Sequence, residues 1–101
     1  MHLISRKTLK DYWTLHPDVK SQLEAWSKEV ECECWYRFED ILEKYRSADV
    51  LPGNRVVFNI KGNHYRLIVK IHYCSEVSKG TVYIRFIGTH AEYDRIDAEK
   101  I

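Results

Sequence analysis

The chain has 101 residues, 45% hydrophobic and 31% charged, with 3 Trp, 7 Tyr and 3 Phe: enough for one domain with a single core, too short for two. Four Gly and two Pro exclude collagen-like and low-complexity classes, and the apolar runs are too short for a signal segment or a membrane span, so a cytoplasmic protein without a membrane partner is expected. The formal net charge is only +1, yet residues 52–90 carry six cations (Arg55, Lys61, Arg66, Lys70, Lys79, Arg85) against one acid, Glu76, which marks the second half as a candidate surface for a polyanion.

Met1 to Ile4 is short and apolar and reads as an opening strand, with Ser5 placed to cap the helix behind it. In that helix Leu9, Tyr12, Trp13 and His16 share one side. Pro17 and Asp18 suit the start of a second helix, where a missing N–H is harmless and a carboxylate meets the positive end of the dipole. Val19, Leu23, Trp26 and Val30 then recur at helical spacing, with Lys20, Glu24, Lys28 and Glu31 off the stripe. Trp35, Tyr36 and Phe38, followed by Ile41, Leu42 and Tyr45, predict a further short helical segment over the edge of the core. Pro52-Gly53-Asn54 is a turn between elements.

Beyond this turn the period changes from helical to alternating. Val56, Phe58 and Ile60 alternate with Val57 and Asn59, and Lys61-Gly62-Asn63 supplies residues that tolerate positive φ for a tight hairpin. In the partner strand Tyr65, Leu67, Val69, Ile71 and Tyr73 point one way, and Arg66, Ile68, Lys70 and His72 the other. After a longer turn over Cys74 to Gly80, Thr81 to Ile87 forms a third strand, with Val82, Ile84 and Phe86 on one side and Tyr83 and Arg85 on the other. The expected fold is one α+β domain over residues 1–101, helices covering the apolar face of a small antiparallel sheet whose second face is mixed and basic.

The segment Gly88 to Asp94 is dense in groups that move protons: His90 titrates near neutrality, Glu92 accepts a proton, and Tyr93 donates or stacks. Thr89 is best read as the N-cap of a short C-terminal helix, and His90 taken alone would more often be an ordinary surface histidine. Arg66 and Arg85 interrupt apolar strands, so each should face a helix carboxylate, a cleft or a phosphate. Cleavage of an RNA phosphodiester needs a base for the 2'-hydroxyl, cations around the phosphorane and an acid for the leaving oxygen, all of which these residues can offer without a metal or cofactor. Cys32, Cys34 and Cys74 with five histidines lack zinc-site spacing; no metal is expected, and the thiols read as structural in a reducing compartment.

The segments MHLISRKTLKDYW, HPDVKSQLEAW, NIKGNHYRLIVKI and YIRFIGTHAEYDRID, in this order over nearly the whole chain, resemble HigB-type toxins of bacterial type II toxin-antitoxin modules. The pairing of GNHYRLI with IGTHAEYD carries most of the likeness. It implies a RelE-like fold and an mRNA interferase that acts in the ribosomal A site. It also implies a HigA-type helix-turn-helix antitoxin as partner, through which alone operator DNA would be reached. On this resemblance Arg66 looks like the arginine that contacts the scissile phosphate, and His90 and Tyr93 fall where the group places acid-base and stacking residues. Lys61, Asn63, His64, Lys70 and Arg85 are assigned to holding RNA from charge and position. The lysine-rich acid-base set of well-known members has no full counterpart here, which leaves His90 or Glu92 to take the 2'-proton, because a guanidinium is a poor base. The alternative is a degenerate, non-catalytic module that binds RNA, the ribosome or the antitoxin.

Overall fold

A computed structural model describes residues 1–101. Its elements in chain order are β1 (His2–Ile4), α1 (Arg6–Leu15), α2 (Lys20–Cys32), α3 (Phe38–Leu42), β2 (Asp49–Leu51), β3 (Arg55–Ile60), β4 (Tyr65–His72), β5 (Thr81–Thr89) and α4 (His90–Tyr93), with a 3-10 turn over Pro17–Val19 leading into α2. The strands form one sheet in the order β1-β5-β4-β3-β2. All neighbours run antiparallel except β1, which pairs parallel to β5 at the edge, Leu3 opposite Val82. The α+β class, the meander and the helices on one face are as the sequence predicts.

The helical stripe is the core's clearest signature. Val19, Leu23, Trp26 and Val30 are all buried, and with Leu9 and Trp13 of α1 they cover Val56, Phe58, Leu67, Val69, Val82 and Ile84 on the inner face of the sheet. Phe58 is the centre of this layer. Trp26 meets it edge-on at 5.4 Å, Tyr45 edge-on at 5.1 Å, and Trp35 stacks against it at 6.1 Å, so one strand residue ties α2, the α2–α3 connection and the segment behind α3 to the sheet.

Several local expectations are corrected. Ser5 precedes α1 but does not cap it through its side chain: it sits at φ 70, where the chain leaves β1 and turns over the sheet, and its carbonyl receives the Thr8 N–H at 2.9 Å. The turn at Pro52-Gly53-Asn54 closes a hairpin with a strand that the pattern did not reveal, β2, whose three residues are too few to show alternation. Of the thiols only Cys74 is buried, donating to the Lys79 carbonyl; Cys32 and Cys34 are exposed.

The largest correction concerns β5. Val69 lies opposite Ile84 and Ile68 opposite Phe86, so Arg85 is an extra, bulged residue. The bulge inverts the facing of everything after it: Phe86 turns to the outer face and Ile87 comes opposite the inward Leu67. Gly88 then faces outward beside Arg66, where a Cβ would lie 2.5 Å from the Phe86 ring and 3.2 Å from Glu92 Cβ. The outer face is also less open than a basic, solvated face would be. Ile68 and Val57 are buried although they lie outside the main core, and the C-terminal segment returns from α4 to receive the Arg55 Nε–H at the Ile101 carbonyl, 2.5 Å away.

Truncating the aromatic hub removes contacts to three elements at once. Phe58→Ala should destabilise the fold by about 3–5 kcal/mol, read as a fall in the urea midpoint with the slope unchanged; a loss below about 1 kcal/mol would show that Phe58 does not hold these elements together.

Candidate active site

Two cross-strand neighbours on β4 and β5 set the geometry. Arg66 and Gly88 are paired, and β5 ends one residue later at Thr89, opposite Tyr65. Thr89 caps α4 as predicted, with its Oγ1 accepting the Glu92 N–H at 3.2 Å while Glu92 Oε1 accepts the Thr89 N–H at 2.8 Å. The His90 N–H bonds to the His64 carbonyl at 3.0 Å, which fastens the start of α4 to the β3–β4 hairpin. From that anchor α4 carries Tyr93 over the sheet, and the Arg66 guanidinium carbon lies 5.8 Å from the centre of its ring.

Arg66 is half-buried and makes no ion pair; its Nη1 donates to the Asn63 carbonyl at 3.2 Å and approaches the Asn63 side-chain oxygen at 3.5 Å. The anticipated helix carboxylate is missing for Arg85 too, since neither arginine belongs to any of the ion pairs. Asn63 in turn lines a cavity of about 560 Å³ with Lys61, His64 and His90. His90 is exposed, its Nδ1 lying 3.4 Å from Asp94 Oδ2. Arg66, Tyr93, Asn63, His64, Lys61 and His90 therefore gather at one end of the sheet.

The remaining candidates lie elsewhere. Lys70 and Arg85 line a different cavity of about 520 Å³ farther along the outer face, together with His72 and Tyr83. Glu92 is engaged: the bond from the Thr89 N–H above all holds its carboxyl below the usual range, so it is a carboxylate committed to the cap. Lys61 bridges to Asp18 at 3.2 Å.

Behind the cavity is a polar cluster that the sequence reading did not single out as a group. The Tyr65 hydroxyl donates to Asp18 at 2.7 Å, Tyr12 stacks on His16 at 4.2 Å and reaches Glu92 at 3.5 Å, and Tyr12 and Tyr65 meet edge-on. The Tyr65 bond, followed by that from Lys61, draws the Asp18 carboxyl down, and the same contact pushes the Tyr65 phenol up. Burial, then the Glu92 charge, raises the Tyr12 phenol. By spacing Tyr12 is one residue of a helix face, and its contact with Glu92, 80 positions away, has no signature in the sequence. No three His, Cys, Asp or Glu side chains converge as a metal-ligand set.

Residues 19–96 match the HigB_toxin family, described as the RelE-like toxic component of a toxin-antitoxin system. The chain belongs to the HigB toxin family. It is 31% identical over 96 residues to the mRNA interferase toxin HigB of Escherichia coli (strain K12), an alignment covering 93% of this chain and 88% of the relative, and equally similar to mRNA interferase HigB of Escherichia coli O157:H7 and of Shigella flexneri. The matched span takes in the whole of β4, β5 and α4, so the HigB family resemblance includes the elements that bring Arg66, His90 and Tyr93 to one end. No helix of this HigB-family chain is long and apolar enough to cross a membrane.

The depressed carboxyls at this end fix the sign of a pH effect. A carboxyl lowered by folding contributes stability above its unfolded value and loses it as pH falls through the folded one. The stabilisation from Asp18 and Glu92 should thus be complete at neutrality and fade on acidification through and below the ordinary carboxylate range. Asp18→Asn should lower the thermal midpoint at pH 7 and flatten its acid limb; parallel wild-type and variant curves would show that the Tyr65 contact contributes nothing.

Proposed function

We propose that this chain is a ribosome-dependent mRNA endonuclease, the toxin of a type II toxin-antitoxin module, which cuts mRNA in the ribosomal A site by metal-independent attack of the 2'-hydroxyl. The observation that carries the reading is Arg66: a half-buried guanidinium on a strand, without a carboxylate partner, set against Tyr93 and joined through Asn63 to the cavity that holds His90. A guanidinium held away from acids needs an anion, and a phosphodiester supplies one whose charge grows in the transition state.

In the proposed reaction the 2'-oxygen attacks the adjacent phosphorus, giving up its proton to His90. The bond to the 5'-oxygen then breaks as that oxygen takes a proton from water, leaving a 2',3'-cyclic phosphate and a 5'-hydroxyl. Arg66 stabilises the phosphorane and cannot serve as base. Tyr93 stacks on a base or sugar beside the cut and holds the guanidinium plane. With its carboxylate bonded to the Thr89 N–H, Glu92 positions α4, and the proton-accepting role falls to His90. Lys61, Asn63 and His64 hold the RNA at the hairpin end, and Lys70 and Arg85 farther along the face.

Purified protein, a defined mRNA and programmed ribosomes test this by primer extension. Cuts should appear only with ribosomes and fall on the order of 10²- to 10³-fold in Arg66→Ala and 10²- to 10⁴-fold in His90→Ala. Folded wild-type protein that binds ribosomes but cuts nothing would establish the non-catalytic module instead.

Charge makes a separate demand. The partner implied by the family is an antitoxin of the HigA helix-turn-helix type, with operator DNA contacted through it, and the toxin's own polyanion is RNA. Its binding to ribosomes should weaken steeply between low and high salt as counterions return to the phosphates; an affinity indifferent to salt would remove the cationic face from the interaction.

A further inference from the structure

The second cavity of the outer face lies outside the cluster of Arg66, His90 and Tyr93 and has its own chemistry. About 520 Å³ in volume, it is lined by Lys70 and His72 of β4, Tyr83 and Arg85 of β5, and Asn54 of the β2–β3 turn. No acid lines it, and neither Lys70 nor Arg85 takes part in an ion pair. Lys70 and Tyr83 are direct cross-strand partners. Tyr83 is 37% exposed, a large ring left open on a sheet face between two cations. The bulge contributes too, because it leaves Arg85 unpaired in the ladder and exposed to the cavity.

An unpaired pair of cations selects an anion, and an open aromatic ring between them selects a flat apolar surface beside it. A nucleotide has both. The volume falls within the range of small-molecule sites, so the cavity can take a base as well as a phosphate. Its position adds direction: Lys70 lies four residues along β4 from Arg66 on the same face, about 13 Å at the rise of a strand. Between them on the outer face lie Ile68, fully buried, and its partner Phe86, so the two regions are separate polar patches of one face.

Resting on the endonuclease reading, we propose that this cavity is a second RNA subsite, which stacks one base of the single strand on Tyr83 and holds its flanking phosphate between Lys70 and Arg85. The strand is thereby fixed at two points, and its register at Arg66 is set from a distance. Tyr83 and His72 become RNA-facing residues in addition to those expected from charge alone.

The test is equilibrium binding, by fluorescence anisotropy, of a labelled hexanucleotide RNA made uncuttable by 2'-O-methyl groups. Tyr83→Ala should weaken binding roughly tenfold, as expected for one lost base stack, while Tyr83→Phe, which keeps the ring, should bind as wild type. Lys70→Gln with Arg85→Gln should reduce the slope of log affinity against log salt by roughly one per cation removed. Unchanged affinity in Tyr83→Ala, an unchanged slope in the double variant, or wild-type protein that binds polyphosphate as tightly as the RNA would each overturn the subsite. Ribosome-dependent cutting is scored separately. Cutting that needs Arg66 but ignores Tyr83 in both rate and binding removes the subsite and leaves the endonuclease; a Tyr83-dependent hexanucleotide affinity in a wild type that cuts nothing does the reverse.

Discussion

The geometry of the candidate site depends on one inserted residue. Had β5 kept strict alternation past Ile84, Phe86 would face the core, Ile87 would stand beside Arg66 on the outer face, and Gly88 would point inward. Arg85 occupies the bulge instead, Phe86 turns out, and Gly88 comes to the outer face with no side chain to block it. The space left free by Gly88 is taken by the Phe86 ring and approached by Glu92 Cβ at the point where α4 departs, and α4 then brings Tyr93 to Arg66. A bulge beside a functional surface commonly re-aims side chains; here it re-aims a whole C-terminal segment.

The second constraint is electrostatic. Helix acids are abundant in this chain, yet they pair among the helices and turns, Arg6 with Glu31 and Lys44 with Glu29, while the strand arginines go without. Leaving a half-buried guanidinium without a countercharge is unfavourable for the isolated fold, and Arg66 is only partly relieved by a carbonyl and an aromatic ring. Such a conflict between local stability and arrangement is the pattern expected at a functional site. The exposed ion pairs contribute little to stability in any case, so the sorting of charge matters chiefly for what the outer face can attract.

What could be read from the sequence divides along physical lines. The α2 stripe was legible because burial repeats every three or four residues over three turns, and β3 and β4 because inward apolar residues recur at every second position, Val56, Phe58 and Ile60 in one and Tyr65, Leu67, Val69 and Ile71 in the other, even though Val57 and Ile68 on the opposite face are buried too. β2 was not, since three residues carry too little pattern, and neither was the parallel pairing of β1, which rests on a partner nearly eighty residues away. The bulge escaped because Ile84, Phe86 and Ile87 are all apolar, so hydrophobicity alone cannot tell which of the last two faces inward. At the site, the capping role of Thr89 was visible as a local pattern, Thr followed three residues later by Glu. That same pattern already implied that Glu92 would be engaged, a consequence that its reading as a proton acceptor passed over.

The Glu92 cap also bears on how the proposed chemistry could be organised without a lysine-rich set. A carboxylate held low by the Thr89 backbone N–H is a weak base, but it is a stable anchor, and it fixes the first turn of α4 from which both His90 and Tyr93 project. The hairpin holds the same turn through the His64 carbonyl, and Tyr12 approaches it from α1. Three separated parts of the chain thus converge on four residues of helix, too short to be stable alone. In the proposed reaction His90 supplies the base and Arg66 the fixed positive charge, and the distance between them is controlled by this cap. The rigidity that catalysis requires then comes from Thr89 and Glu92, which need not touch the RNA.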